Sequence, residues 1–364
     1  MKLAIVRQKY TPYGGAERFV ERALSGLRAQ GAEVTVIARE WTGNPAGILK
    51  VDPFYLGRTW RDVGFSHRVR RIIRESRFDL VQSHERIPGC HVYRAGDGVH
   101  ATWLELRGRG AGLSPWHRYV LKAEAEMFLH PSLRAVICNS RMVRDDIARR
   151  FGLPDEKLHV IHNGVDLDAF HPGLRDAHRR RVRADLGIPP DAPVILFVGS
   201  GFERKGVSTL LRALVGAPAA HLVVVGKDRH LNVAEKLAQT LGVDDRARFL
   251  GGREDVRPYY GAADFFCLPS LYDPMPNAAL EAMACGLPVI ASSTCGAAEL
   301  IEEGRNGFVC DALDVATLAR RMDALCDRKV AMDMGLVARH AVGRLDFATM
   351  SQAMTDLYRK LLNP

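Results

Sequence analysis

The sequence predicts an α/β chain of two doubly wound, parallel-sheet domains. Three observations predict it. Short apolar runs alternate with longer helical patterns along all 364 residues. The runs are continuous and rich in Val and Ile, as strands covered on both faces of a parallel sheet must be. The series also occurs twice, in a chain long enough to bury two full cores.

The first series is LAIVRQ from residue 3, EVTVIAR from 33, FDLVQSH from 78, AVICNS from 135 and LHVIHNG from 158. The second is PVILFVGS from 193, HLVVVGK from 221, ARFLGG from 247, DFFCLPS from 264, PVIAS from 288 and GFVCD from 307. Between them, Asn163-Gly164, Pro172 and Gly173 punctuate the pattern. The expected domains are therefore 1–166 and 167–346, with a basic helix over roughly 175–186 leading into the second. The remaining segment, 347–364, is amphipathic from Phe347 to Leu362 with no strand after it. It can cap either domain, and packing back on the first is one candidate.

Bulk properties narrow the classes. A hydrophobic content of 47% and a charged content of 26% suit a soluble globular protein. No apolar run approaches the ~20 residues of a membrane span, and the apolar stretch near Met1 is too short for a secretory segment. The expected location is cytoplasmic, peripheral on the inner face of the inner membrane if attached at all. Seven cysteines, widely spread and without a C-x-x-C, suit buried free thiols rather than a metal site. The net charge of +9 is partly local: seven arginines lie between Arg58 and Arg77, against Asp62 and Glu75. No nucleic-acid motif accompanies them, so nucleic acid is not expected as a partner. A solvated helix face and an anion-binding surface both remain open.

Chemistry concentrates after the first strand of each series. Gly14-Gly15 precedes a helix, where close backbone approach and unpaired N–H groups make an anion site. In the second half, Gly199 and Gly201 lead to Arg204-Lys205 as the next helix opens. Cations oppose the dipole there unless an anion joins them. The spacing fits neither a Walker nor a dinucleotide motif. Asp273 and Glu281 then bracket DPMPNAALE. Pro274 and Pro276 hold Asp273 on a turn before the helix that carries Glu281. Two ionised carboxylates can each accept from two hydroxyls. A diphosphate grip with two hydroxyl-binding acids suits a nucleotide sugar at the carboxyl ends of strands.

With KYTPYGGAERFVERAL, HNGVD, GSGFERKGV, GGREDV and LEAMACGLPVI, the chain resembles the retaining glycosyltransferases of family four, whose fold is GT-B. Within them it is similar to the lipopolysaccharide core glucosyltransferases acting on an inner-core heptose. The resemblance covers nearly the whole chain and implies two Rossmann-like domains facing a cleft, the first binding acceptor and the second donor. It implies that Arg204 and Lys205 hold the diphosphate, Glu281 the ribose hydroxyls and Asp273 the transferred sugar. Gly15 would line the phosphate side, and Arg253 would lie where the base is held. Two departures stand out. Asp273 replaces the usual glutamate, one methylene shorter. D-P-M-P-N replaces E-G-F-G-L, so Asn277 and Ala278 are left to donate backbone N–H groups.

The expected reaction is metal-independent and needs no cofactor. With both motif acids committed to hydroxyls, transfer would proceed on one face, the departing phosphate accepting the acceptor's proton. In the first domain Asp97, between two glycines, and His100 are acceptor-side candidates, with His84-Glu85 a further one. Glycine-flanked Asp is also an ordinary turn former. Trp103 to Phe128 mixes aromatic and basic residues, which suits either a membrane interface or an ordinary helix. The partners implied are a UDP-sugar, a lipid-linked glycan and an anionic membrane surface. Another hexosyl or N-acetylhexosaminyl transferase, a sugar-nucleotide epimerase and a non-catalytic binding subunit are the alternative readings.

Overall fold

A computed structural model describes residues 1–10, 31–41, 47–108 and 110–363. The chain divides into two compact units, Met1–Gly164 with Phe347–Pro364, and Val165–Asp346. Among the described residues, no helix is long and apolar enough to cross a membrane.

In the first unit the strands are β1 (Lys2–Val6), β2 (Lys9–Tyr10), β3 (Glu33–Ala38), β4 (Glu40–Trp41), β5 (Ile48–Lys50), β6 (Leu80–Ser83), β7 (Val92–Ala95), β8 (Ala135–Cys138) and β9 (Leu158–Val160). Seven of them form one sheet in the order β5-β3-β1-β6-β7-β8-β9. Every pair in it is parallel. β6, β7 and β8 are buried at every residue, which explains the apolar run of β8; β6 and β7 also bury Gln82, Ser83 and Arg94. β5 is short and half-exposed at the sheet edge, so no apolar run announces it.

One face of this sheet is closed by the Phe347–Leu362 helix. Its Met350, Met354, Leu357 and Tyr358 share a core with Leu3, Val36, Leu80 and Ile137. The Tyr358 hydroxyl donates to Gln82 Oε1 at 2.5 Å, and an Arg94 guanidinium reaches Asn163 Oδ1 at 2.9 Å. The other face carries the Gly57–Glu75 helix through Phe65 and Val69.

The second unit contains β10 (Val194–Val198), β11 (His221–Val225), β12 (Ala247–Phe249), β13 (Phe265–Leu268), β14 (Val289–Ser292) and β15 (Gly307–Cys310). They form a parallel sheet in the order β12-β11-β10-β13-β14-β15. The order reverses between β10 and β13, the switch point at which open α/β sheets leave a crevice beyond their carboxyl ends. At the opposite, amino ends of the strands Asp264 stands just before β13. It accepts from Arg183 at 2.6 Å, Arg179 at 2.8 Å, Arg175 at 3.2 Å and the Val194 N–H at 2.9 Å. The basic helix thus spans Leu174–Asp185 and is stapled to the sheet by one buried acid.

Candidate active site

The loops after β10 and β13 meet at the switch point. Leu271 N–H donates to the Arg204 carbonyl at 2.8 Å, and the Arg204 guanidinium donates to the Tyr272 carbonyl at 2.8 Å. Gly206, at φ 75°, makes this approach possible, because a Cβ there would lie 1.9 Å from the Pro269 carbonyl oxygen. The contact puts Lys205 Nζ 2.6 Å from Asp273 Oδ2, with Arg204 at 3.4 Å from the same oxygen. Lys205 is 8% exposed and Asp273 6%.

Asp273 faces Lys205, so its shorter side chain makes an ion pair within the protein. The Gly201 amide, at a position expected to bind donor, donates to Asp228 Oδ2 at 2.7 Å. Asp228 follows β11 and also accepts from Phe202 and His230 N–H groups. Burial acts to raise its pKa, yet these three N–H bonds outweigh burial and hold it below the usual carboxylate range. The loop is therefore shaped by a carboxylate of the protein itself.

Gly199 has a role that spacing alone did not disclose. A Cβ there would stand 2.7 Å from Lys205 Cδ and 2.8 Å from its Cε. The missing side chain is the channel through which the lysine stem runs. Gly199→Ala should displace the ammonium and reduce turnover about tenfold or more. In a Lys205→Ala background the same substitution should cost turnover clearly less than it does alone, what remains being the strain of a side chain at φ 154°. Full additivity of the two in kcat would show that Gly199 acts elsewhere.

The Asn277–Ala284 helix begins at Pro276, which supplies no capping side chain to its first N–H groups, Asn277 and Ala278 included. One turn in, Glu281 is half-buried and its Oε2 lies 2.8 Å from the Tyr260 hydroxyl, which is also 3.2 Å from the Ala278 carbonyl. Tyr260, on the Arg257–Ala262 helix, is buried and orients this carboxylate. Arg253 is exposed in the loop after β12. Gly14 and Gly15 lie outside the described residues.

In the first unit, Asp97 is exposed in the turn that follows β7. His100 is not. Its N–H donates to Glu124 Oε1 at 2.8 Å, and its Nε2 lies 3.0 Å from His117 Nδ1. Burial, together with Arg86, His117 and Arg58, pushes its pKa down to about 3, so the ring is uncharged at neutral pH. Glu124, nearly inaccessible, also accepts from Ala101 N–H at 3.1 Å and Arg86 at 2.7 Å. It caps the His100–Arg107 helix from a neighbouring helix, so His100 belongs to a packed network. Glu85, after β6, accepts from the Gln8 N–H at 2.9 Å. Its pKa is raised, first by burial and further by Asp97. A cavity of about 80 Å³ lies beside it, lined by Gln8, Asp62, Glu85, Arg86, Trp116 and Tyr119 among others.

Glu124, Tyr260 and Asp228 went unnoticed in the sequence. Glu124 alone carried a signal: it is an acid flanked at helical spacing by Val120, Ala123, Met127 and Phe128. The cysteines are free, six of them buried and Cys326 half-buried. Burial raises each thiol, Cys295 to about 12, so none is an activated nucleophile.

Comparison with known proteins follows the same division. The model of the Glycosyl transferases group 1 family matches residues 178–339, and that of Glycosyltransferase Family 4 matches residues 13–169. The lipopolysaccharide core biosynthesis glycosyltransferase LpsE of Rhizobium meliloti (strain 1021) is 34% identical over 96% of this chain and 96% of its own. The D-inositol 3-phosphate glycosyltransferase of Mycolicibacterium smegmatis is 27% identical over 96% and 87%. The crystal structure of WaaG, a glycosyltransferase involved in lipopolysaccharide biosynthesis, superposes with a TM-score of 0.85 at 26% identity, covering 98% of this chain and 99% of that one.

Proposed function

Since the chain belongs to the GT-B glycosyltransferases of family four and is a hexosyltransferase, we propose that it moves glucose from UDP-glucose to a lipopolysaccharide-core or related lipid-linked glycan. The anomeric configuration is retained. The observation that carries this reading is the Arg204–Lys205–Asp273 cluster at the carboxyl ends of β10 and β13.

A nucleotide diphosphate entering there meets two cations whose charge is half-balanced by one acid. Arg204 accommodates phosphate oxygens through a planar fork, and Lys205 adds a point charge. As the anomeric C–O bond lengthens, negative charge grows on the leaving diphosphate, and fixed cations stabilise that state more than the ground state. Glu281, its orientation set by Tyr260, takes the ribose hydroxyls. Asp273 sets the position of Lys205 and through it the transferred sugar. The acceptor hydroxyl gives its proton to the departing phosphate oxygen on the same face, with Asp97 orienting that hydroxyl.

The test is a panel of UDP-sugars, with and without a heptose-containing acceptor, read by UDP release and product analysis. Transfer from UDP-glucose with α-configured product supports the reading. An epimerised sugar nucleotide, or binding without turnover on every acceptor, overturns it. Glu281→Gln should raise the donor KM roughly 10- to 100-fold, since hydrogen bonds to a charged carboxylate are lost. An unchanged KM would remove Glu281 from the ribose.

A further inference from the structure

The first unit has a switch point of its own. From β1 the chain runs to β3 and β5 on one side of the sheet and returns at β6 on the other. A crevice therefore opens beyond the carboxyl ends of β1 and β6. Val6 and Ser83 are partners in the ladder there. Two residues beyond each stand Gln8 and Glu85, joined by the Gln8 N–H on Glu85 Oε1 at 2.9 Å. Ser83 fixes the glutamate in place. Its hydroxyl donates to the Glu85 carbonyl at 2.7 Å and accepts from the Glu85 N–H at 3.0 Å.

The cavity beside Glu85 measures about 80 Å³. A cavity of about 150 Å³ holds benzene, so this one holds about three or four non-hydrogen atoms. That is too small for a sugar ring and large enough for a hydroxyl-bearing side arm. Phe65, Val120 and the Trp116 and Tyr119 rings supply apolar wall, while Asp62, Glu85 and Arg86 supply charge. Asp62 and Arg86 are committed. Asp62 accepts from Trp116 Nε1 at 2.7 Å, Arg61 at 2.8 Å and Gln8 Nε2 at 3.2 Å. Arg86 donates to Glu124 at 2.7 Å and to the Gly98 carbonyl at 2.9 Å. Glu85 is half-buried, and its Oε2 has no hydrogen-bond partner among the described residues. Asp97, in the turn after β7, is near enough that its charge adds to burial in raising the Glu85 pKa. An anion would meet two acids here, whereas a hydroxyl donor suits one uncommitted carboxylate oxygen between aromatic walls.

We propose that this cavity is an acceptor subsite: it takes the exocyclic, hydroxyl-bearing arm of the sugar ring whose attacking hydroxyl Asp97 orients, and Glu85 Oε2 accepts from the arm's hydroxyl. The inference rests on the transfer reaction proposed above and adds to it a residue that selects the acceptor. The Trp116 and Tyr119 rings pack against the carbons of the arm. A ring without the arm leaves that oxygen to solvent.

The experiment compares kcat/KM of the full chain for a heptose-terminated acceptor and for the same acceptor with the exocyclic arm of the reacting ring removed. Wild type should prefer the first about 10- to 100-fold, the range of one hydrogen bond to a charged group. Glu85→Gln keeps an oxygen for the Gln8 N–H and should cut that preference about tenfold, with the armless acceptor, the donor KM and the melting temperature unchanged. Ala123→Leu fills the cavity without altering a charge and should erase the preference. Equal losses on both acceptors, or a raised donor KM, would make Glu85 a fastener of its loop and overturn the inference. So would a wild-type enzyme indifferent to the arm. Transfer to neither acceptor by wild type is a separate result: the reaction proposed above fails, and the inference falls with it.

Discussion

Lys205→Ala should lower kcat/KM by roughly 10²- to 10³-fold, the usual cost of removing one fixed group that stabilises developing negative charge. The geometry makes a second effect unavoidable. Lys205 is the nearer of two cations on Asp273, at 2.6 Å against 3.4 Å for Arg204. Removing it leaves a buried carboxylate with a weaker partner, at a stability cost of about 3 kcal/mol or less. The two effects separate in a cycle. Lys205→Ala with Asp273→Asn should recover most of the melting temperature, because the stranded charge is gone, and recover none of the turnover. Steady-state kinetics and thermal melts of the three variants are the measurements. Turnover by Lys205→Ala within twofold of wild type would sink the assignment of this cation to the diphosphate.

Asp264→Asn should produce the largest loss of stability with little loss of chemistry. Three guanidinium groups converge on this carboxylate, and it also receives the first N–H of β10. Neutralising it strands those cations in a largely buried setting, at a cost of about 3–5 kcal/mol, or roughly 10 °C in Tm for a unit of this size. The cluster sits at the amino ends of the strands, away from the carboxyl ends that carry Lys205 and Asp273, so kcat at low temperature should hold. The pH dependence has a definite sign. Burial acts to raise the Asp264 pKa, but Arg183 and Arg179 outweigh it and depress the value. A carboxylate depressed on folding contributes fully above its unfolded pKa, about 3.9. The contribution is lost as pH falls through the lower folded value. Wild-type and Asp264→Asn melting curves should therefore lie apart at neutral pH and converge in acid. Parallel curves down to the acid limit would contradict this.

The sheets were legible because burial on both faces forces continuous apolar strands, and β8, β10, β11 and β13 show such runs. β5 was illegible because an exposed edge strand of three residues has no such requirement. At the site, sequence spacing located the loops that carry Arg204, Lys205, Asp273 and Glu281. What it did not locate was the pairing. Lys205 and Asp273 are far apart in sequence and meet because β10 and β13 are neighbours in the sheet, a fact about strand order. Gly199 was legible as a special glycine but not as the channel for a lysine stem. Tyr260 and Glu124 act across tertiary contacts onto groups on other helices, and local spacing carries no record of those.

The Phe347–Leu362 helix closes the core of the unit to which Met1–Gly164 belongs. On the ribosome, the usual order in which the earlier domain finishes first cannot apply. The early strands wait with Leu3, Val36 and Leu80 uncovered while all of Val165–Asp346, a continuous stretch, is synthesised and free to fold. Tyr358 then arrives to seal Gln82. The first unit is thus finished only after the second, although most of its chain is made before it.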